Sequence, residues 1–147
     1  MWGENSLPSA PIDEMTRTWG YWENAVDQHN LQDPVRGMDI GEYRNPDMRE
    51  AYARLVAQGL KSLEDSVQVG LLIEELDIAD LRDASMRIEK LEILSVYSVY
   101  ADLERGSRNH LHAFYRWMKR LNIFYAPAHL AREDFISMAE SEHEYGH

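Results

Sequence analysis

An acidic residue interrupts an apolar seam in the middle of this chain. Between residues 63 and 81, apolar side chains recur every three or four positions, as they do on the face of an α-helix that packs against a core. The seam consists of Leu63, Val67, Leu71, Glu74, Ile78 and Leu81. Because a carboxylate is costly to bury, Glu74 must be paired, protonated or bound to a metal ion.

A histidine interrupts a second seam, which consists of Val96, Tyr100, Leu103, Ser107, His110, Phe114, Trp117 and Leu121. A carboxylate and an imidazole that project from two long helices toward one interior are typical of carboxylate-bridged metal bundles. Glu74 and Asp77, one turn apart, could share a cation with His110. They could equally accept hydrogen bonds from Arg108, His110 or Tyr100. We favour this structural interpretation, because a lone histidine on an apolar face is more often a hydrogen-bonded core residue than a ligand.

The composition indicates one acidic globular domain. A chain of 147 residues with 44% hydrophobic residues is long enough for one sizeable core. No apolar run approaches a membrane span and no secretion signal follows Met1, so the cytoplasm is the default location. The formal net charge of −11 argues against nucleic acid as a partner, because phosphates are repelled. The lack of cysteine excludes disulfides and thiolate chemistry.

The two seam helices carry opposite charges. A basic strip on the helix of His110 consists of Arg105, Arg108, Arg116, Lys119 and Arg120. The acids that crowd the helix of Glu74 are Glu64, Asp65, Glu75, Asp80 and Asp83. We expect charge pairing between the helices and solvated faces rather than an anion site.

Helix signals and breakers divide the chain into five predicted helices. They cover about 11–28, 46–59, the residues after Gly59 to about 83, 87–121 and 131–142. Asn45 is the expected cap of the second helix, with Pro46 in its first turn. An irregular arm covers residues 1–10, a single domain covers 11–142, and a polar tail covers 143–147. No alternating strand pattern occurs, so the predicted fold is all-α.

Two stretches carry a family resemblance: NPDMREAYARLVAQGLKSLEDSVQVGLLIEELDIADL at 45–81 and ERGSRNHLHAFYRWMKRLNIFYAPAHLAREDF at 104–135. Their order, their spacing and the blocks IEELDIADL and GSRNHLHAF resemble a ferritin-like family of archaea and bacteria, domain of unknown function 2202. The resemblance covers roughly residues 30–138. It implies a ferritin-like four-helix bundle in which Glu74 or Glu75, with His110, forms half of a dinuclear metal site.

The chain departs from the ferritin-like ligand pattern in three places. Such sites take one Glu from each of two helices and a Glu-x-x-His pair from each of the other two. We expect the chain to start after the first of these helices. Met15 and Thr18 stand where one pair is expected, and Ser107 lies three residues before His110. We therefore expect a truncated or degenerate bundle of three long helices plus short accessory helices, without a complete dinuclear site in one chain.

The segment after the last predicted helix contains two acid–histidine pairs. Glu140 precedes His143, and Glu144 precedes His147, each by three residues, which is a spacing that suits divalent ions. Polar tails usually fray, so we expect adventitious metal binding there at most.

Three hypotheses of function follow. The preferred one is a non-catalytic ferritin-like scaffold or interaction subunit, without a cofactor. The second is a ferritin-like oxidoreductase of the di-iron type, with Glu74, Asp77 and His110 as ligands of iron or manganese in a site that another subunit completes. The third is a small regulatory or structural protein whose partner surface is unrelated to the bundle core. Enzymatic activity is not expected under the first or the third.

We also expect an oligomer or a larger complex, because removing one helix from a bundle exposes an apolar groove. A second copy or a protein partner would supply the missing helix. The residues expected to contact this partner are Trp2, Ile12, Trp19, Val67 and Leu71.

Overall fold

Four α-helices follow one another in the computed structural model, which describes residues 27, 30, 32–33, 36–89 and 94–145. They are α1 (Pro46–Gly59), α2 (Leu63–Glu89), α3 (Leu94–Arg120) and α4 (Arg132–Ala139). These residues contain no strand, so the predicted all-α class is confirmed. Some predictions concern residues that the structure does not describe. They are the predictions for the arm, for the helix at 11–28 and for Trp2, Ile12, Met15, Thr18, Trp19 and His147.

Helix α1 begins and ends where local signals predict. The Asn45 side chain accepts hydrogen bonds from the backbone N–H groups of Asp47 at 2.8 Å and Met48 at 3.4 Å, and Pro46 lies in the first turn. These contacts satisfy N–H groups that have no partner inside the helix. Helix α1 packs against α2 but buries none of its own residues.

The other helix boundaries differ from the prediction. Helix α2 continues six residues beyond Asp83, because residues 84–89 contain no glycine or proline and Arg87 forms an ion pair with Asp83 at 2.9 Å. Helix α3 begins at residue 94 instead of about 87. Helix α4 covers only Arg132–Ala139, and the expected extension to residue 142 is a turn and an irregular segment.

Helices α2 and α3 are antiparallel neighbours. Gly70 faces Phe114 and Arg82 contacts Glu104, so contacts run up one helix and down the other. A Cβ atom built on Gly70 would lie 2.6 Å from Phe114 Cδ1, and the glycine therefore permits this close approach. The core cluster comprises Val67, Leu71, Ile78, Leu111, Ile123, Phe135, Met138 and Ala139.

Two residues expected to line an open groove belong to this core. Val67 is 5% exposed and Leu71 is 0% exposed. Both side chains pack inward because α2 is covered by α3 and by the elements that follow it. The prediction that these two residues face a partner is corrected accordingly.

The chain after α3 returns to α2. Asn122 has a φ of 54°, and the N–H of Ile123 donates to the Met118 carbonyl at 2.9 Å, so α3 ends in a left-handed cap. The Gln68 side chain then donates to the Phe124 carbonyl at 2.9 Å. The cap thus directs residues 123–131 across α2 before α4 packs on α3.

No helix in the described ranges is both long enough and apolar enough to cross a membrane.

Candidate functional site

Glu74 and His110 approach each other between α2 and α3, as the two seams predict. The distance from Glu74 Oε1 to His110 Nδ1 is 3.4 Å. Glu74 is 8% exposed and the His110 side chain is largely buried. Neither side chain points into bulk solvent, and the prediction that they meet in the bundle interior is confirmed.

Asp77 lies one turn after Glu74 on α2. Burial of the carboxylate, together with the negative charges of Glu74 and Asp80, raises the pKa of Asp77 to about 6, and His110 opposes the shift. The residue nevertheless keeps contact with solvent. Asp77 therefore adds a third acid–base group beside the Glu74–His110 pair, and it changes charge near neutral pH.

Glu75 is the fully buried acid of the bundle, with 0% exposure. Its carboxylate accepts hydrogen bonds from the Tyr125 hydroxyl at 2.5 Å and from the backbone N–H groups of His129 at 2.5 Å and Leu130 at 2.8 Å. Burial and the hydrogen bond to Glu75 raise the pKa of Tyr125. Glu75 thus holds the loop between α3 and α4 on α2.

The charge pattern grouped Glu75 with acids expected to pair between the helices or to be solvated, and the resemblance offered it as an alternative to Glu74 in a metal site. The first expectation is wrong, because Glu75 is 0% exposed and its partners lie in the loop. Glu75 follows Leu71 by four positions and precedes Ile78 by three, so it satisfies the same seam spacing as Glu74. That spacing was the signal in the sequence that Glu75 would be buried. The hydrogen-bond donors that make burial of Glu75 possible belong to residues 125–130. The sequence of α2 alone does not identify them.

Three residues of the basic strip, Arg105, Arg108 and Lys119, form ion pairs, and their partners lie on α3 or after α4 rather than on α2. Arg108 donates to Glu104 at 2.7 Å on the same helix, and both Arg108 Nε and Nη2 donate to Glu144 at 2.6 and 2.7 Å. Lys119 contacts Glu140 at 3.3 Å. The ion pair that links the two long helices has the opposite polarity, from Arg82 of α2 to Glu104 at 2.8 Å.

Residues 141–145 are anchored on α3, although a polar tail was expected to fray. The Asn109 amide donates to the Glu144 carbonyl and accepts from the Glu144 N–H, both at 2.9 Å. Glu140 accepts a hydrogen bond from Tyr115 at 3.1 Å. Both acids of the predicted tail pairs therefore contact α3.

Glu74, Asp77 and His110 are the residues that the sequence predicted as metal ligands, with Glu75 as the alternative to Glu74. Within the described residues, no three acidic or histidine side chains are grouped closely enough to hold a metal ion. Glu75 has both carboxylate oxygens occupied by donors from the loop, so it is not available as a ligand. Glu74 and His110 form a carboxylate–imidazole contact, to which Asp77 is adjacent.

Comparison with known proteins places this arrangement in a family. A family model described as an uncharacterized protein domain, DUF2202, matches residues 20–142. The chain belongs to the DUF2202 family. The resemblance found in the sequence is thereby confirmed at the level of the family.

A DUF2202-like relative is known from an archaeon. The chain is 37% identical over 121 residues to uncharacterized protein MJ0754 of Methanocaldococcus jannaschii, and the match covers 82% of this chain. The chain spans 64% of that relative's length. The crystal structure of hypothetical protein MJ0754 superposes with a TM-score of 0.82 at 32% identity, covering 90% of this chain and 74% of the other.

Proposed function

We propose that this DUF2202 chain is a non-catalytic, ferritin-like helical scaffold that acts as an interaction subunit of a larger assembly. The observation that carries this proposal is the set of hydrogen bonds that the Glu75 carboxylate accepts from the loop. A metal centre needs carboxylate oxygens that point to an ion, whereas both oxygens of this fully buried acid accept hydrogen bonds from the loop. The acid at this position of the seam serves to hold the fold together.

The surface of α1 supports a role in assembly. Met48, Tyr52 and Val56 follow one another at four-residue spacing and are all exposed. Residues at this spacing share one face of a helix. An apolar stripe on a helix that buries nothing in its own chain is a typical contact surface for another protein.

The alternative is a ferritin-like oxidoreductase whose metal site another subunit completes. The 3.4 Å contact between Glu74 and His110, with Asp77 one turn away, favours this alternative because a carboxylate and an imidazole suit iron or manganese. In such a protein these three residues would bind the metal. A subunit that supplies further ligands would also satisfy the proposal of an oligomer.

Metal analysis of the purified chain distinguishes the two proposals. The chain is produced with added iron and manganese, and its metal content is compared with that of the Glu74→Ala variant. The scaffold proposal predicts equal, substoichiometric metal in both proteins. One or two ions per chain that are lost in Glu74→Ala would replace it with the oxidoreductase proposal.

Sedimentation tests the assembly. We expect the chain to form a homo-oligomer, or to associate with a protein partner from its own cell extract. The Met48→Glu variant, which places a charge on the apolar stripe of α1, should shift the oligomer toward monomer. A chain that sediments as a monomer and recovers no partner would contradict the scaffold role.

A further inference from the structure

Arg108 and Asn109 recognise one residue of an extended peptide segment. Arg108 makes a bidentate contact with the Glu144 carboxylate through Nε and Nη2. Asn109 pairs with both the N–H and the carbonyl of the same residue. Arg108 and Asn109 therefore bind both the side chain and the backbone of Glu144, through four hydrogen bonds.

Arg108 and Asn109 are also held by the surrounding structure, outside their contacts with the segment. Glu104 accepts from Arg108 at 2.7 Å and from Arg82 at 2.8 Å, so the guanidinium is fixed from the side opposite Glu144. Asn109 is 7% exposed. A bidentate guanidinium with restricted motion loses less conformational entropy when it binds a carboxylate.

The residues that flank Glu144 in the segment lie at the surface. Glu142, His143 and Tyr145 are exposed. The hydrogen bonds from Arg108, followed by the charges of Arg108 and Arg105, lower the pKa of Glu144, and partial burial opposes them. The contacts with Arg108 and Asn109 are thus concentrated on one charged residue of the segment.

We propose that Arg108 and Asn109 form a binding site for an extended acidic segment of a partner protein, and that residues 141–145 occupy this site within the chain. The partner segment requires a glutamate whose backbone N–H and carbonyl are both accessible. It exchanges with the chain's own segment, which is released from α3 when the partner binds.

This inference rests on the proposed scaffold role, because it supplies the chemistry of one partner contact. The chain's own segment competes strongly, since a short connection to α4 gives it an effective concentration on the order of mM. Weakening the internal contact is therefore the way to reveal the site. Glu144→Ala removes the carboxylate and leaves the rest of the chain intact.

The test uses a fluorescein-labelled peptide, AESEHEYG, which reproduces residues 139–146. Its polarisation is measured against the full chain and against Glu144→Ala. We expect the variant to bind the peptide at least tenfold more tightly than the unsubstituted chain does, because its own segment loses both hydrogen bonds from Arg108 and keeps only the two with Asn109. The matched control is Glu142→Ala, an exposed neighbour, which should bind the peptide as weakly as the unsubstituted chain.

A second peptide, AESEHQYG, tests recognition of the glutamate on one and the same chain variant, whose circular dichroism spectrum is first compared with that of the unsubstituted chain. It replaces the recognised glutamate by glutamine and should bind Glu144→Ala at least tenfold more weakly than AESEHEYG. Equal affinity for the two peptides, or no binding of AESEHEYG by Glu144→Ala at about 1 mM, would overturn the proposed site. Metal content plays no part in this measurement, so its failure is distinct from failure of the scaffold proposal.

Discussion

Glu74 and Glu75 are consecutive residues of α2 with the same charge, yet they have different environments. Glu75 is fully buried and accepts three hydrogen bonds at 2.5–2.8 Å. Glu74 retains some solvent contact and approaches His110 at 3.4 Å, which is long for a charge-assisted hydrogen bond. Successive residues of a helix point about 100° apart, so one faces the loop and the other faces α3.

The two acids differ in how many hydrogen-bond donors surround each carboxylate. The loop uses the full acceptor capacity of Glu75, because a buried carboxylate is tolerated only with several donors. The Glu74 carboxylate lies against an imidazole and near a second acid, Asp77. Glu75 therefore stabilises the position of the loop, whereas Glu74 lies in the interface between α2 and α3.

The largest effect is expected from Glu75→Ala. This variant leaves the Tyr125 hydroxyl and two backbone N–H groups of the loop without their acceptor. We expect the free energy of unfolding to fall by roughly 3–5 kcal/mol, as when one partner of a buried charged contact is removed. Urea denaturation followed by circular dichroism measures this loss.

Two variants are controls for that measurement. Glu74→Ala should cost less than half as much, since its contact with His110 is long and partly exposed. Glu64→Ala, at the exposed start of α2, should change stability by less than about 0.5 kcal/mol. Equal losses for Glu74→Ala and Glu75→Ala would remove the distinction between the two acids.

Gly70→Ala tests whether the spacing of α2 and α3 matters to both acids. The added methyl group would meet the Phe114 ring one turn before Glu74, so the helices must separate or the ring must move. We expect a loss of about 1–3 kcal/mol, typical of overpacking, despite the better helix propensity of alanine. Gly59→Ala, where the new Cβ would meet Ser66 Cα at 3.8 Å, is the control and should be neutral or stabilising.

Tyr125→Phe removes one of the three donors to Glu75. The hydroxyl is lost while the ring keeps its stacking on Phe135, with centroids 5.5 Å apart. A loss of about 1 kcal/mol is expected, because the two backbone donors remain. Thermal unfolding measures it. If Tyr125→Phe lowered the free energy of unfolding as much as Glu75→Ala does, the two backbone donors would contribute little to stability.

The smallest effect concerns Asp77 and depends on pH. Its pKa is raised to about 6 in the folded chain from 3.8, so the folded state binds the proton more tightly than the unfolded state. The ionised carboxylate therefore destabilises the fold increasingly from pH 4 to 6 and fully above that range. Asp77→Asn should be more stable than the unsubstituted chain at pH 8, with the difference gone by pH 4. A pH-independent difference would contradict this.

Local signals predicted some elements well and long-range partners poorly. Asn45, Pro46 and Gly59 mark the bounds of α1 because caps and breakers act within a few residues. Residues 87–89 were assigned to the next predicted helix but belong to α2, because no breaker follows Asp83 to mark a boundary. The approach of Glu74 to His110 followed from seam spacing. The partners of Glu75 and Glu144 lie 50–55 and 35–36 positions away, and only the folded chain brings them together.

The way Glu75 holds the loop has a practical consequence for protein engineering. Two of its three donors are backbone N–H groups, those of His129 and Leu130, so the contact is indifferent to which side chains these residues carry. The exposed positions Ala128 and His129 can therefore accept a fluorophore, a spin label or an affinity handle while the loop stays docked. Proline at 129 or 130 is the exception, because it has no N–H to donate.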